Sequence, residues 1–407
     1  MRIGLFSDYY LAQSDGTAIA TEISRQALTE LGHEVLVFCP DLPKVKKKAH
    51  VRAFRSWPGL LYPGLRASWP FSMKALTQVG GLDVVHIETP LPVGLLGLRT
   101  SRKLDKPTVI SAHLDMDFMG EYKIAPLALV GLGFLVALVC RRPGDFIKAL
   151  FSRRRNPKAS RRTDFAWRVY GYFCDQSDVC VAISQKIYNQ LELYKEKDNL
   201  VLIPNGVNLP VYKLPTKPEA RRQLGWADNE FIVISIARLV REKHVELIIE
   251  SIRHLPGKLK LKLVILGDGP RKSNLQKIVQ RYGLSHKVQF YGSVPHKDLH
   301  KYIIAADVFV NASLREVASL TVLEAALCAK PLLLFDDKLV EPLEGGVNGF
   351  FVNSPDQLAA KIAWLMSKPD KLGSFGAASR KRVKTRYSQS AHGRALSQMY
   401  ENILKEH

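Results

Sequence analysis

Between Phe231 and Asp337 one short pattern recurs, and it constrains the fold more than anything else in the chain. An apolar run ends in a turn, and the turn opens into an amphipathic helix. Phe231–Ala237 leads to Arg238 and a helix over Val245–Leu255, and Lys260–Leu266 leads to Gly267-Asp268-Gly269-Pro270 and a helix over Arg271–Tyr282. Val288–Tyr291 leads to Gly292-Ser293-Val294-Pro295 and a helix over Asp298–Ala305, after which Asp307–Asn311 delivers the stretch Ser313–Asp337. Strands alternating with helices of this length predict parallel pairing through helical crossovers, that is, a doubly wound α/β sheet. In such sheets ligands gather at the carboxyl ends of the strands, and every turn just named lies on that edge.

The N-terminal half repeats the alternation less regularly. A strand over Arg2–Asp8 precedes the loop Ser14-Asp15-Gly16-Thr17 and a helix over Thr17–Leu31, with Asp15 or Thr17 as its cap and Gly32 as its stop. A glycine at that helix start lets backbone approach a phosphate or sugar closely, and equally makes a plain tight turn. Glu34–Cys39 is the next strand, and a basic, proline-rich segment covers Leu42–Pro70. Asp83–Ile87 then runs into Glu88-Thr89-Pro90, and Thr108–Ala112 ends on His113 with Asp115 and Asp117 close behind. A histidine at a strand end serves structure as readily as chemistry. Val179–Ile183, a helix over Gln185–Tyr194 and Asn199–Pro204 close this half, and Pro210–Lys217 reads as a linker. The expected domains are therefore 1–209 and 210–387, with a terminal helix over 388–407, and 407 residues suffice for both cores.

Ser313–Asp337 concentrates the chemistry. Glu316 lies in a loop and Glu324 about one turn into a helix predicted over Leu320–Ala329, so the two carboxylates bracket a helix N-terminus. The unbonded N–H groups there favour phosphate. A phosphate between two carboxylates requires those carboxylates to hold neutral hydroxyls, and sugars and ribose offer vicinal ones. Arg238 and Lys243, on the turn after the first strand of this half, suit a diphosphate whose charge develops as it leaves. A nucleotide-sugar satisfies all of these together. Taken singly, each is also an ordinary surface charge.

A formal net charge of +21 calls for an anionic partner. Much of that charge follows Ile124–Cys140, a run without a charged residue, as Arg141, Arg142, Lys148, Arg153, Arg154, Arg155, Lys158, Arg161 and Arg162. The run is near the minimum for a membrane span, but the elements on either side belong to one domain, so one crossing would strand them on opposite faces. The segment 121–164 is instead expected to lie in one leaflet, with the arginines of Ile124–Arg162 on anionic headgroups at the cytoplasmic face. The competing arrangement is a buried core helix beside a solvated basic loop. Nucleic acid is not the expected partner, because the basic cluster adjoins an apolar run and is not interleaved with stacking aromatics. Cys39, Cys140, Cys174, Cys180 and Cys328 lack metal-ligand spacing and read as reduced thiols, so no metal site is expected. MRIGLFSDYY reads as a strand, not as a signal peptide. Oligomeric state has no signal.

Gly16-Thr17, His113, Ile203–Asn208, Ala237-Arg238-Leu239 with Glu242-Lys243, Gly267–Pro270, and Glu316 with Glu324 occur in one order over nearly the whole chain. That ordered set resembles family 4 of the retaining glycosyltransferases. His86-Ile87-Glu88-Thr89-Pro90, the opening Asp8-Tyr9-Tyr10 and the stretch Arg168–Asp178 resemble the branch that glycosylates diacylglycerol-type lipids. The resemblance implies the GT-B fold, two Rossmann-like domains facing a cleft with a C-terminal helix crossing back. It assigns the donor's ribose to Glu324, its sugar to Glu316 and its diphosphate to Arg238 and Lys243. Gly16, Thr17, Val294, Leu320 and Thr321 would complete the donor contacts, and His113 would meet the sugar or the reacting centre. The implied reaction moves a hexose, glucose from UDP-glucose first among them, to a membrane lipid with retention, without a metal or a side-chain nucleophile. A polysaccharide or other sugar acceptor, a GDP-linked donor and a catalytically silent membrane scaffold fit the same residues. Ser319 and Lys330 stand where the family commonly has glycine, and a side chain at Ser319 is expected to narrow the approach of backbone amides to the phosphate.

Overall fold

Strands that read as unbroken Val, Ile and Leu runs need both faces covered, which parallel sheets with crossover helices supply. The computed structural model describes residues 1–10, 16–41, 48–58, 66–68, 79–119, 125–208, 214–339 and 341–407. It divides into two compact units, residues 1–206 with 389–407, and residues 207–388. The expected cap Asp15, most of the proline-rich segment, Ile124 and the linker residues 210–213 lie outside the described residues.

The first unit is built on β1 (Arg2–Phe6), β2 (Glu34–Pro40), β3 (Val51–Phe54), a small antiparallel pair β4 (Ser56–Pro58) and β5 (Arg66–Ser68), then β6 (Val84–Ile87), β7 (Thr108–Ala112), β8 (Val179–Ala182) and β9 (Leu200–Leu202). Its main sheet is parallel in the order β3-β2-β1-β6-β7-β8-β9. The helix Gln389–Glu406 belongs to this unit. It lays Leu396, Met399, Tyr400 and Ile403 into the core of β1, β2, β6 and β7, while His392 Nε2 and Ser24 Oγ lie 2.9 Å apart beside the helix Gly16–Glu30.

The second unit has β10 (Phe231–Ile236), β11 (Leu261–Leu266), β12 (Val288–Gly292), β13 (Val308–Asn311), β14 (Leu332–Leu334) and β15 (Gly349–Phe351), all parallel in the order β12-β11-β10-β13-β14-β15. In each sheet the strand order reverses once, between β1 and β6 in the first and between β10 and β13 in the second. These switch points are where crossovers leave to opposite faces and a crevice opens at the strands' carboxyl ends. The turn after β11 packs so closely on the one after β10 that a Cβ on Gly267 would lie 1.9 Å from the Ala237 carbonyl oxygen, at φ +133°. Only glycine fits there.

Two details depart from the sequence reading. The helix that carries Glu324 is shorter, Leu320–Leu327, because Ala329 turns the chain out at φ +57°. The apolar-basic segment is neither a loop nor one helix but two, Ala125–Cys140 and Pro143–Phe151, packed on each other and on the helix Arg161–Cys174. Gly133 permits the first contact, since a Cβ there would sit 2.1 Å from the Phe146 ring. Leu129, Val136, Ala137 and Cys140 turn inward, whereas Phe134, Leu138 and Phe151 are 54%, 56% and 84% exposed. No helix among the described residues is long and apolar enough to cross a membrane.

Candidate active site

The switch point of the second sheet gathers the residues singled out in the sequence. Arg238 is exposed on the loop that leaves β10, and Lys243 ends a single 3-10 turn, Arg241–Lys243, on the same loop. From the far side of the switch point, the loop after β13 returns Glu316, whose Oε1 accepts from Lys243 Nζ at 2.8 Å and from Asn311 Nδ2 at 3.2 Å. Burial presses the Glu316 pKa upward, but the charge and hydrogen bond of Lys243, with bonds from Asn311 and Ser313, hold it below the usual carboxylate value. A lysine expected on a diphosphate is thus paired with the carboxylate expected on the sugar.

Leu320 and Thr321 open the next helix, with Leu320 buried and Thr321 half-buried. Ser319 stands at its N-cap with φ −78°, a conformation open to any residue, so replacing glycine there costs no backbone strain. Its hydroxyl lies 3.2 Å from that of Thr321. Lys330 points elsewhere: its Nζ donates to the carbonyls of Ile304 and Ala306 at 2.8 and 2.6 Å, capping the end of the helix His296–Ala305. Burial lowers its pKa to about 8.

Glu324 is reached by a residue that sequence reasoning missed. His296 Nε2 lies 2.5 Å from Glu324 Oε1, and that hydrogen bond and charge raise the His296 pKa against the opposing effect of burial. Val294 is half-buried two residues before it, in the loop after β12. Nothing in the sequence pairs His296 with Glu324, because 28 residues separate them and only the sheet order brings them together.

In the first unit, Gly16 is exposed at the start of its helix, where among the described residues no packing neighbour lies within 4 Å of where a Cβ would stand, and Thr17 follows half-buried. His113, after β7, lies with Nε2 2.7 Å from Oε2 of Glu88, after β6, and both side chains are buried. Burial pushes the Glu88 pKa up, but the imidazoles of His86, His113 and His392 pull it below the usual carboxylate value. His86 is itself held between Tyr400 Oη at 2.5 Å and Ser111 Oγ at 2.7 Å. Asp115 and Asp117 play structural parts, the first in a buried ion pair with Lys186 at 3.0 Å and the second accepting from Trp167 Nε1 at 2.8 Å. Among the described residues no group of three or more His, Cys, Asp or Glu side chains has the geometry to hold a metal ion.

Two family models divide the chain much as its sheets do: Glycosyltransferase Family 4 matches residues 16–210 and Glycosyl transferases group 1 matches residues 216–382. The chain belongs to the family 4 glycosyltransferases. As a member of that family it is an enzyme with the GT-B fold. Alpha-monoglucosyldiacylglycerol synthase of Acholeplasma laidlawii is 27% identical over 99% of this chain and 98% of its own length. The enzyme of the same name from Streptococcus pneumoniae is 26% identical over 91% of this chain and 79% of its own. Among solved structures, Anabaena HepE in complex with UDP aligns with a TM-score of 0.72 at 17% identity, covering 98% of this chain and 99% of that one. At that identity the likeness speaks for the fold alone.

Proposed function

We propose that this glycosyltransferase moves a hexose, glucose from UDP-glucose in the first instance, onto a hydroxyl of a membrane glycerolipid such as diacylglycerol or a glycolipid. In this reading Glu324 fastens the ribose and Glu316 the sugar. Arg238, Lys243 and the first N–H groups of the helix Leu320–Leu327 stabilise the leaving diphosphate. The bond from the anomeric carbon to the phosphate oxygen breaks, the acceptor oxygen bonds to the same face, and the departing phosphate takes the acceptor's proton. Anomeric configuration is retained, and neither a metal nor a side-chain nucleophile takes part.

The observation that carries the lipid acceptor is the helix pair Ala125–Cys140 and Pro143–Phe151, whose exposed Phe134, Leu138, Ile147 and Phe151 stand beside the basic segment. Large apolar side chains next to arginines suit insertion into the headgroup boundary of an anionic leaflet and so support a peripheral membrane enzyme, on the cytoplasmic face in this reading. The names of the bacterial relatives support the same acceptor class.

The test is turnover of UDP-glucose on vesicles of phosphatidylglycerol and diacylglycerol, with EDTA present and with the product anomer read by proton NMR. An α-linked glucosyl lipid is expected. The triple variant Phe134→Ser, Leu138→Ser, Phe151→Ser should stay in the supernatant when vesicles are pelleted. Release of UDP with a soluble saccharide but never with lipid would overturn the lipid acceptor, and no turnover with any acceptor would leave a silent scaffold.

A further inference from the structure

We propose that His296 is a positioning residue for the donor's ribose, acting through Glu324. The inference rests on the reading that Glu324 meets the ribose hydroxyls, and adds how that carboxylate is held ready. His296 is the first residue of the helix His296–Ala305, directly after Pro295, and its imidazole is about half exposed. Glu324 is almost wholly buried, on a different helix. The imidazole takes one oxygen of the carboxylate, Oε1, at 2.5 Å. The other, Oε2, is buried and has no hydrogen-bond partner among the described residues.

An ionised carboxylate accepts on both oxygens, and a buried acceptor left unpaired carries the full cost of its lost hydration. Glu324 therefore has one oxygen satisfied from within the protein and one awaiting a donor. A ribose presents two adjacent O–H donors of the right kind. By pinning Oε1, His296 fixes the plane of the carboxylate and so the direction in which Oε2 accepts. One turn further along the same helix, His300 Nδ1 is also buried without a partner among the described residues.

The experiment compares calorimetric affinities of the chain for a nucleoside diphosphate and for its 2′,3′-dideoxy form. Whichever of the uridine and guanosine diphosphates binds more tightly is used. The wild type should favour the ribose form by at least about tenfold, the worth of a good hydrogen bond to a charged group. His296→Ala should weaken the ribose form by about tenfold and the dideoxy form by less than about twofold. His296→Gln, whose amide N–H reaches a similar point, should recover most of the loss, and Glu324→Gln should erase the effect of changing His296. In turnover His296→Ala should raise the donor KM and leave kcat at saturating donor unchanged. Equal weakening of both ligands, tighter binding of the ribose form, or no change in His296→Ala would each overturn the proposal while leaving the donor site in place. Absence of any ribose preference in the wild type would overturn the ribose assignment itself, and the proposal with it.

Discussion

Lys243→Ala is expected to cost two to three orders of magnitude in kcat/KM without unfolding the chain. Lys243 Nζ lies 2.8 Å from Glu316 Oε1, and the side chains are 22% and 13% exposed, so the pair is largely out of water. Removing one partner of such a pair leaves an uncompensated charge and costs roughly 3–5 kcal/mol. The rate loss is a separate quantity: withdrawing one group that stabilises the charge developing on the leaving diphosphate costs roughly 10²–10³. Part of the stability cost can be relieved by protonation, because burial alone pushes the Glu316 pKa up once Lys243 is gone. The assay measures kcat/KM from released nucleoside diphosphate across pH, with thermal melts in parallel. The discriminating variant is Lys243→Ala with Glu316→Gln, in which no charge is stranded. Its melting temperature should return to near the wild-type value while transfer stays low. Recovery of transfer in that double variant would mean that Lys243 only neutralises Glu316, and the phosphate role would fail. So would a single variant within threefold of wild-type kcat/KM.

Lys330→Met removes the two hydrogen bonds to the Ile304 and Ala306 carbonyls and should lower stability by about 1–3 kcal/mol in urea melts, with the donor KM unchanged. Ser319→Gly should move the donor KM by less than about threefold, since the backbone at this position is not strained and the hydroxyl turns to Thr321. Asp8 is buried at the end of β1, which raises its pKa from 3.8 to about 6 despite hydrogen bonds from Thr89, Val93 and Gly94. A carboxyl raised in the folded state contributes stability that is complete below its unfolded pKa and is lost as pH rises through the folded one. The stability of the wild type relative to Asp8→Asn should therefore fall by about 2–3 kcal/mol between pH 4 and pH 7, and parallel pH profiles would refute this.

The strand–turn–helix alternation was legible because parallel strands buried on both faces must be apolar throughout, and the turns between them must sit on one edge. Arg238, Lys243 and Glu316 could be named for that reason, since each lies on a loop that leaves the carboxyl end of a strand. The switch points were not legible: the reversal between β10 and β13 is a fact of pairing order, and pairing is tertiary. The membrane reading shows a second limit. A row of cations counts charge without showing where each charge is used, and Arg155, placed by sequence among the headgroup contacts, directs its guanidinium to the Leu193 and Lys195 carbonyls and Glu196.

Lys243 with Glu316, His296 with Glu324, and His113 with Glu88 share one physical logic. A carboxylate at a strand or helix end is visible in a sequence as a chemical group. Once buried, it must be paired, and in these three cases the partner comes from an element distant in the chain. Pairing lets a buried acid keep its charge, and a charged acid is what a sugar hydroxyl can bond to strongly. The two histidines should then act on affinity through the acids they hold, so that removing the acid first silences the histidine, whereas Lys243, which also meets the diphosphate, should keep an effect of its own. Double-mutant cycles on the three pairs measure this directly, and additive losses in either histidine pair would show that its histidine has a separate role.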